Sequence, residues 1–119
     1  METVNLQQKL ALFSEHYKPH IIGEVNDCYV KVVKLKGEFL WHHHDNEDEL
    51  FLVVKGTLRI KFRDHESIIR EGEFIIVPRK VEHLPVADEE VHIVLIEPKS
   101  TLNTGNIANE RTVAQLKSI

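Results

Sequence analysis

Apolar and polar residues alternate along the middle of the chain, from Ile21 to Ile96, in short runs separated by turn residues. The clearest run covers residues 57–63, where Leu58, Ile60 and Phe62 alternate with polar side chains. A period of two predicts a half-buried β-strand. Further strands are predicted over residues 28–35, 39–44, 50–54, 68–69, 74–77 and 91–96. Short, regularly spaced strands without a long helix indicate a β-sandwich or a barrel.

The two ends of the chain leave this pattern. At the start, apolar residues recur at helical spacing and predict one short helix over residues 1–19, with an apolar face made of Leu6, Leu10, Phe13 and Tyr17. Asn5 is suited to cap this helix, and Pro19 ends it. Residues 98–119 are predicted to form a tail, in which Asn109 is a candidate cap for a second short helix through about Leu116.

Two of the predicted strands, Leu50–Val54 and Phe74–Val77, are apolar at nearly every position. A small barrel buries only one face of each strand, so the second face must meet another sheet, the N-terminal helix or another subunit. We therefore expect a homodimer. Trp41 is a candidate for the same interface.

Composition fits one globular domain of 119 residues. The net charge of −4 and the scattered Lys and Arg residues do not favour a nucleic-acid partner. A single cysteine, Cys28, excludes an intramolecular disulfide. No leader-like segment or membrane-spanning apolar run is present in the sequence, so the cytoplasm is the expected location and no membrane partner is expected.

The candidate chemistry lies around three consecutive histidines. In a strand, His42 and His44 face one side and His43 the other. If Asp45–Asp48 forms the following turn, Glu49 opens the next strand and can face the same interior. Two imidazoles and a carboxylate at one point form a metal-ligand set, and His83 offers a fourth ligand.

A different interpretation is a solvated, His-rich loop that holds metal only adventitiously. The ordered spacing of the two histidines, Glu49 and the turn residue Gly56 is more specific than an isolated His-x-His pair. His43 is then an outer residue, and the acidic run after it is a solvated turn.

Two segments of the chain resemble the paired motifs of the cupin superfamily, particularly its small single-domain members. The first segment contains Gly37, His42, His44, Glu49 and Gly56, and the second contains Gly72, Pro78 and His83. The spacing from Gly37 to His42 is one residue shorter than usual. Lys80 stands where the family usually has Gly, and Ala87 stands where it usually has Asn.

The resemblance covers roughly residues 30–97. It implies an all-β fold, an antiparallel jelly-roll barrel with a short N-terminal helix and a short C-terminal helix or tail. It also implies one divalent transition metal (Fe, Mn, Ni, Co, Zn or Cu) in the barrel cavity, held by His42, His44, Glu49 and His83. Three imidazoles and one carboxylate leave one or two positions open for water or a substrate on a six-coordinate metal.

The implied function is a metal-dependent enzyme that acts on a small molecule, as a sugar or sugar-phosphate isomerase or as a dioxygenase. The alternative is a module that binds or senses a small ligand without turnover, since fold does not decide function. Arg79 and Lys80 are further candidates, which would reach the cavity mouth and pair with an anionic substrate, and the alternative for both is a solvated surface position.

Overall fold

The computed structural model describes residues 1–119 as one short helix and eight strands. The elements are α1 (Leu6–Leu10), β1 (His20–Val25), β2 (Cys28–Glu38), β3 (Glu49–Lys55), β4 (Leu58–Lys61), β5 (Glu66–Ile69), β6 (Phe74–Val77), β7 (Leu84–Pro98) and β8 (Lys117–Ser118). The all-β jelly-roll barrel expected from the sequence is confirmed. No helix of this structure is long and apolar enough to cross a membrane.

Strand β7 connects the parts of the barrel. It pairs with β2 along nearly its whole length, from Cys28↔Pro98 to Glu38↔Val86. On its other side, its first residues pair with β4 and its last residues pair with β3. Strands β5 and β6 then extend the sheet from β4 and β3. Because β7 changes its partner halfway, the sheet bends around a single interior.

The barrel interior holds a cluster of 13 buried apolar residues, contributed mainly by alternate positions of β2, β3, β4 and β7. The alternation predicted for residues 57–63 is confirmed at Leu58 and Ile60, which are both fully buried. A second, smaller cluster lies on the outside of the barrel around Leu10, Val32 and Val94. Part of the outer apolar face is therefore covered by the N-terminal segment, which was one of the three coverings considered from the sequence.

The N-terminal helix is shorter than the predicted residues 1–19. It begins after Asn5, whose side chain accepts a hydrogen bond from the Gln8 amide at 2.9 Å, and it ends at Leu10. Beyond it, Phe13 packs into the outer cluster while Tyr17 enters the barrel interior. One straight helix keeps both on a single face, so the chain leaves the helix to reach two separate apolar regions.

The predicted helix from Asn109 to Leu116 does not form. The Asn109 side chain accepts a hydrogen bond from the Arg111 amide at 2.8 Å and so closes a turn. The chain then ends in β8, which pairs in parallel with β1. The Asn side chain can accept a backbone N–H both at a helix N-cap and in a turn, so the residue type alone did not distinguish the two structures.

The predicted strand over residues 39–44 is also absent as a regular strand. A single antiparallel bridge joins His42 to His83, with backbone N–H···O distances of 3.1 and 2.9 Å. One bridge is enough to keep this segment extended beside the barrel, so the alternation of its side chains survives without a ladder.

Candidate metal centre

The structure brings His42, His44, Glu49 and His83 together inside the barrel. One ligand atom from each lies within 4.8 Å of the others, and all four residues are buried. His42 and His83 meet through the backbone bridge, and Glu49 is the first residue of β3. The predicted facing of the histidines is confirmed, because His43 is only half-buried and contacts Asp45 at 2.9 Å.

Backbone carbonyl groups fix the tautomer of two of the imidazoles. His42 Nδ1 lies 2.9 Å from the Leu40 carbonyl oxygen, and His83 Nδ1 lies 2.9 Å from that of Val81. A carbonyl oxygen only accepts, so each Nδ1 carries the proton. Each Nε2 therefore keeps a free lone pair, which is the arrangement expected of metal-binding histidines.

The polar atoms at the centre converge without hydrogen-bonding to one another. Glu49 Oε1 lies 2.7 Å from His44 Nε2 and 3.2 Å from His83 Nε2. Neither contact has hydrogen-bond geometry, and all three atoms are buried without a hydrogen-bond partner. Ligands about 2.0–2.2 Å from a common metal lie at roughly such separations from one another. The donor set and its spacing therefore fit a metal ion.

The electrostatics of the cluster favour the forms that bind a cation. Burial, reinforced by His83, lowers the pKa of His42 to about 4, so the imidazole is neutral near pH 7. Burial alone would raise the pKa of Glu49, but the contacts with His44, His83 and the Glu97 carboxyl group outweigh it and hold that pKa well below its usual range. A neutral imidazole and an ionised carboxylate are the states that a metal requires.

A cavity of about 40 Å³ lies beside the cluster in the barrel interior. Its wall is largely apolar, and its polar lining includes His42, Glu49 and Glu97. Residues from both ends of the chain complete the lining, namely Tyr17, Pro19 and Asn103. The Tyr17 ring stacks on Phe39, with ring centroids 4.7 Å apart. A space of this volume admits only a few non-hydrogen atoms.

The C-terminal segment holds the histidine segment in place. The Asn106 side chain accepts a hydrogen bond from the His43 amide at 2.8 Å, and the Asn106 amide donates to the His43 carbonyl at 2.9 Å. Arg111 donates to the Phe39 carbonyl at 2.7 Å, and its guanidinium lies over the Phe39 and Tyr17 rings. A segment that was predicted to be a tail therefore supports the site.

The structure does not bring Arg79 and Lys80 to the cavity. Both are exposed, and the Arg79 guanidinium contacts Asp48. Lys80 has a left-handed backbone, with φ of 69°, and it stands where the cupin motif usually has Gly. This departure from the family pattern therefore changes a residue of a turn and leaves the metal ligands unchanged.

Sequence analysis missed the buried pair Lys31 and Glu97. The Lys31 ammonium donates to Glu97 Oε1 at 2.7 Å. A signal was present, because Glu97 is in phase with the inward residues Val91, Ile93 and Leu95 of β7. A charge at an inward position of an apolar strand is unusual and points to a specific role.

Comparison with known proteins agrees with this architecture. A family model described as the cupin domain matches residues 29–97. The protein YdbB of Bacillus subtilis (strain 168) is 37% identical over 82 residues, which cover 66% of this chain and 73% of YdbB.

Two crystal structures are similar along most of the chain. A cupin-2 domain containing protein from Shewanella frigidimarina has a TM-score of 0.80 and 46% identity, over 81% of this chain and 94% of that one. The protein NMB1881 from Neisseria meningitidis has a TM-score of 0.76 and 37% identity, over 82% of this chain and 100% of that one. With a family match over more than half of its length, this chain belongs to the cupin family.

Proposed function

We propose that this chain is a metal-dependent enzyme that acts on a small molecule inside the barrel. One divalent transition metal is held by His42, His44, Glu49 and His83. The observation that carries the proposal is the convergence of four buried ligand atoms within 4.8 Å. The fixed tautomers of two imidazoles support it, since they orient a lone pair toward the same point.

Three imidazole nitrogens and one carboxylate oxygen suit Fe, Mn, Ni, Co, Zn or Cu. When bound, such a metal polarises a carbonyl or hydroxyl oxygen, or binds dioxygen. The protein contributes a largely apolar cavity, in which charged groups interact more strongly than in water. These properties fit the isomerase and dioxygenase classes expected from the resemblance.

A binding module without turnover is the second candidate function. The small, largely apolar space beside the cluster favours it, because it has room for a small ligand next to the four side chains. Mass spectrometry of the denatured protein distinguishes the two candidates. A metabolite retained in stoichiometric amount, together with a lack of turnover on a substrate panel, would favour the module.

The test of the metal centre is elemental analysis of the purified protein by inductively coupled plasma mass spectrometry. We expect about one equivalent of a transition metal in the wild type and a large loss in His44→Ala, since a structural ligand is removed. His43→Ala is the matched control, because that neighbouring imidazole points away from the site and its loss should leave the metal in place. A wild type that stays metal-free after reconstitution would contradict the proposal.

We propose, in addition, that the chain forms a homodimer through the outer face of β3, β6 and β7. Phe74 and Ile76 on β6 are 60% and 53% exposed, and Ile96 on β7 belongs to the same face. Strand β6 pairs only with β3, so its outer edge is free. A second copy of the chain would cover these side chains.

Several expectations from the sequence stay predictions. They are the single domain over residues 1–119 with its core at 30–97, the cytoplasmic location, and the absence of a nucleic-acid partner.

A further inference from the structure

Two polar side chains lie inside the barrel beside the four-residue cluster without belonging to it. Lys31 on β2 and Glu97 on β7 are 1% and 2% exposed, and the Lys31 ammonium donates to Glu97 Oε1 at 2.7 Å. Burying such groups is costly, and a well-packed apolar pair of similar volume is often equally stable or better. Glu97 lines the same cavity as Glu49. The pair therefore points to a role at the cluster rather than in stability.

Strand register places the two glutamates opposite each other. Strands β3 and β7 pair antiparallel, with Leu50 opposite Ile96. One further step along this register brings Glu49, the first residue of β3, opposite Glu97. Residues opposite each other on an antiparallel pair have Cβ atoms about 4.5–5.5 Å apart, and like charges at such positions are destabilising. The two carboxyl groups therefore meet inside the barrel, where their repulsion has to be removed.

A hydrogen bond between the two carboxyl groups removes this repulsion. The side chains of Glu97 and Glu49 are hydrogen-bonded to each other. An ionised carboxylate only accepts, so one of the two groups carries the hydrogen. Glu97 Oε1 already accepts from Lys31, and no N–H or hydroxyl group of the protein reaches Oε2, so Oε2 is the oxygen available to donate. Burial, together with the neighbouring Glu49, raises the pKa of Glu97 well above its usual range, in agreement with this arrangement.

We infer that Glu97 is a positioning residue that donates a hydrogen bond to Glu49 and so orients this metal ligand. Lys31 holds Glu97 from the neighbouring strand β2. The inference rests on the proposed function, because the oriented carboxylate is a ligand of the proposed metal. Backbone carbonyl groups already orient His42 and His83, and Glu97 has the same part for the carboxylate ligand.

The test is the Co(II) affinity of the purified protein, measured by competition with a chromophoric chelator. The decisive variant replaces both members of the pair, as Lys31→Met with Glu97→Leu, so that no charge is left buried alone. We expect its Co(II) affinity to fall about 10–100-fold, as is usual when the outer partner of a ligand is lost. Wild-type affinity in this variant would overturn the inference.

A conservative variant separates positioning from packing. In Glu97→Gln, the amide nitrogen can donate to Glu49 while the carbonyl oxygen accepts from Lys31. We therefore expect this variant to keep its Co(II) affinity within about threefold of the wild type. A loss as large as in the double variant would contradict the inference, because the hydrogen-bond donor and the shape of the side chain are both retained.

A second variant decides the test if the double variant does not fold. Lys31→Met leaves the Glu97 carboxyl group without its anchor, and we expect a several-fold loss of Co(II) affinity. Urea denaturation of the metal-free proteins shows whether each variant is folded. An unchanged affinity in folded Lys31→Met would contradict the inference.

Tyr17→Phe is the matched control. It also removes a buried polar group from the cavity wall, but its hydroxyl group donates to the Gly37 carbonyl and not to a metal ligand. We expect its Co(II) affinity to equal that of the wild type, and a loss like that of the double variant would contradict a specific role of Glu97. A wild type that binds no Co(II) contradicts the proposed metal centre instead, so the two failures are distinguishable.

Discussion

At the scale of single residues, Gly105 places a strict limit on the histidine segment. Its backbone is left-handed, with φ of +56°, and it packs directly against that segment. A Cβ atom here would collide with the His43 carbonyl oxygen and lie 3.0 Å from His42 Cδ2. Both contacts are with the segment that presents two of the four ligands. Any side chain at this position must therefore displace the metal centre or the C-terminal loop.

We predict that Gly105→Ala lowers the free energy of unfolding by about 2–4 kcal/mol, through backbone strain and the displaced contact, and also reduces metal content. Gly72→Ala is the matched control, because Gly72 has φ of +80° but no atom within 4 Å of the added Cβ. The control should cost about 1–2 kcal/mol and retain its metal. Urea denaturation and elemental analysis of both variants check this, and equal losses would refute the role assigned to the contact.

The site residues predicted from the sequence belong to a local motif, whereas those that were missed depend on contacts between distant parts of the chain. His42, His44, Glu49 and His83 carry distinctive chemistry at a regular spacing, so their juxtaposition follows from strand geometry and a known motif. The role of Gly105 depends on a partner more than 60 positions away, and no local pattern encodes such a contact.

At the scale of elements, the chain from Leu12 to Pro19 is tied to β7 by a small ionic cluster. His16 Nε2 lies 2.7 Å from Glu90 Oε2, and His92 Nε2 lies 2.9 Å from Glu90 Oε1. These two contacts lower the pKa of Glu90 to about 2. The same segment then delivers Tyr17 to the cavity wall.

The depressed pKa of Glu90 predicts a defined acid sensitivity. Because the folded-state pKa of about 2 lies below the usual 4.5, the contribution is fully present above pH 4.5 and is lost as the pH falls through about 2. Its size is at most about 1 kcal/mol, since the His16 and Glu90 side chains are 36% and 43% exposed and solvent screens their interaction. Melting temperatures of wild type and Glu90→Gln, recorded from pH 2 to 7, should differ above pH 4.5 and converge in acid. A difference in melting temperature that stays constant from pH 2 to 7 would argue against a stabilising contact of ionised Glu90 with His16 and His92.

Element boundaries were predicted less well than side-chain facing. The alternation in β4 followed from period two, because that strand buries one face against the core, whereas β6 was predicted from a short, continuous apolar run. The N-terminal helix was overestimated, because the helical spacing continued after the chain had turned toward a second apolar region. Helix propensity is overridden by tertiary packing where the side chains of one segment pack into two separate apolar regions.

At the scale of the whole molecule, the exposed apolar face predicts the assembly. We expect size-exclusion chromatography with light scattering, at micromolar concentration, to give twice the mass of one chain. Ile76→Glu should shift the protein toward monomer, because it buries a charge in the proposed interface. Ile68→Glu is the control, since Ile68 is 46% exposed on β5, away from that face. A wild-type protein with the mass of one chain would contradict the proposed homodimer.

The hydrogen bonds between Asn106 and His43 also have a consequence for biosynthesis. Asn106 is added to the growing chain 63 residues after His43. At about 5–20 residues per second, the ribosome needs roughly 3–13 seconds to cover that distance. During this interval the three histidines have been translated but lack the loop that fixes them. Metal capture at the finished centre therefore follows the synthesis of Asn106, and an earlier encounter meets a histidine-rich nascent chain that lacks this support.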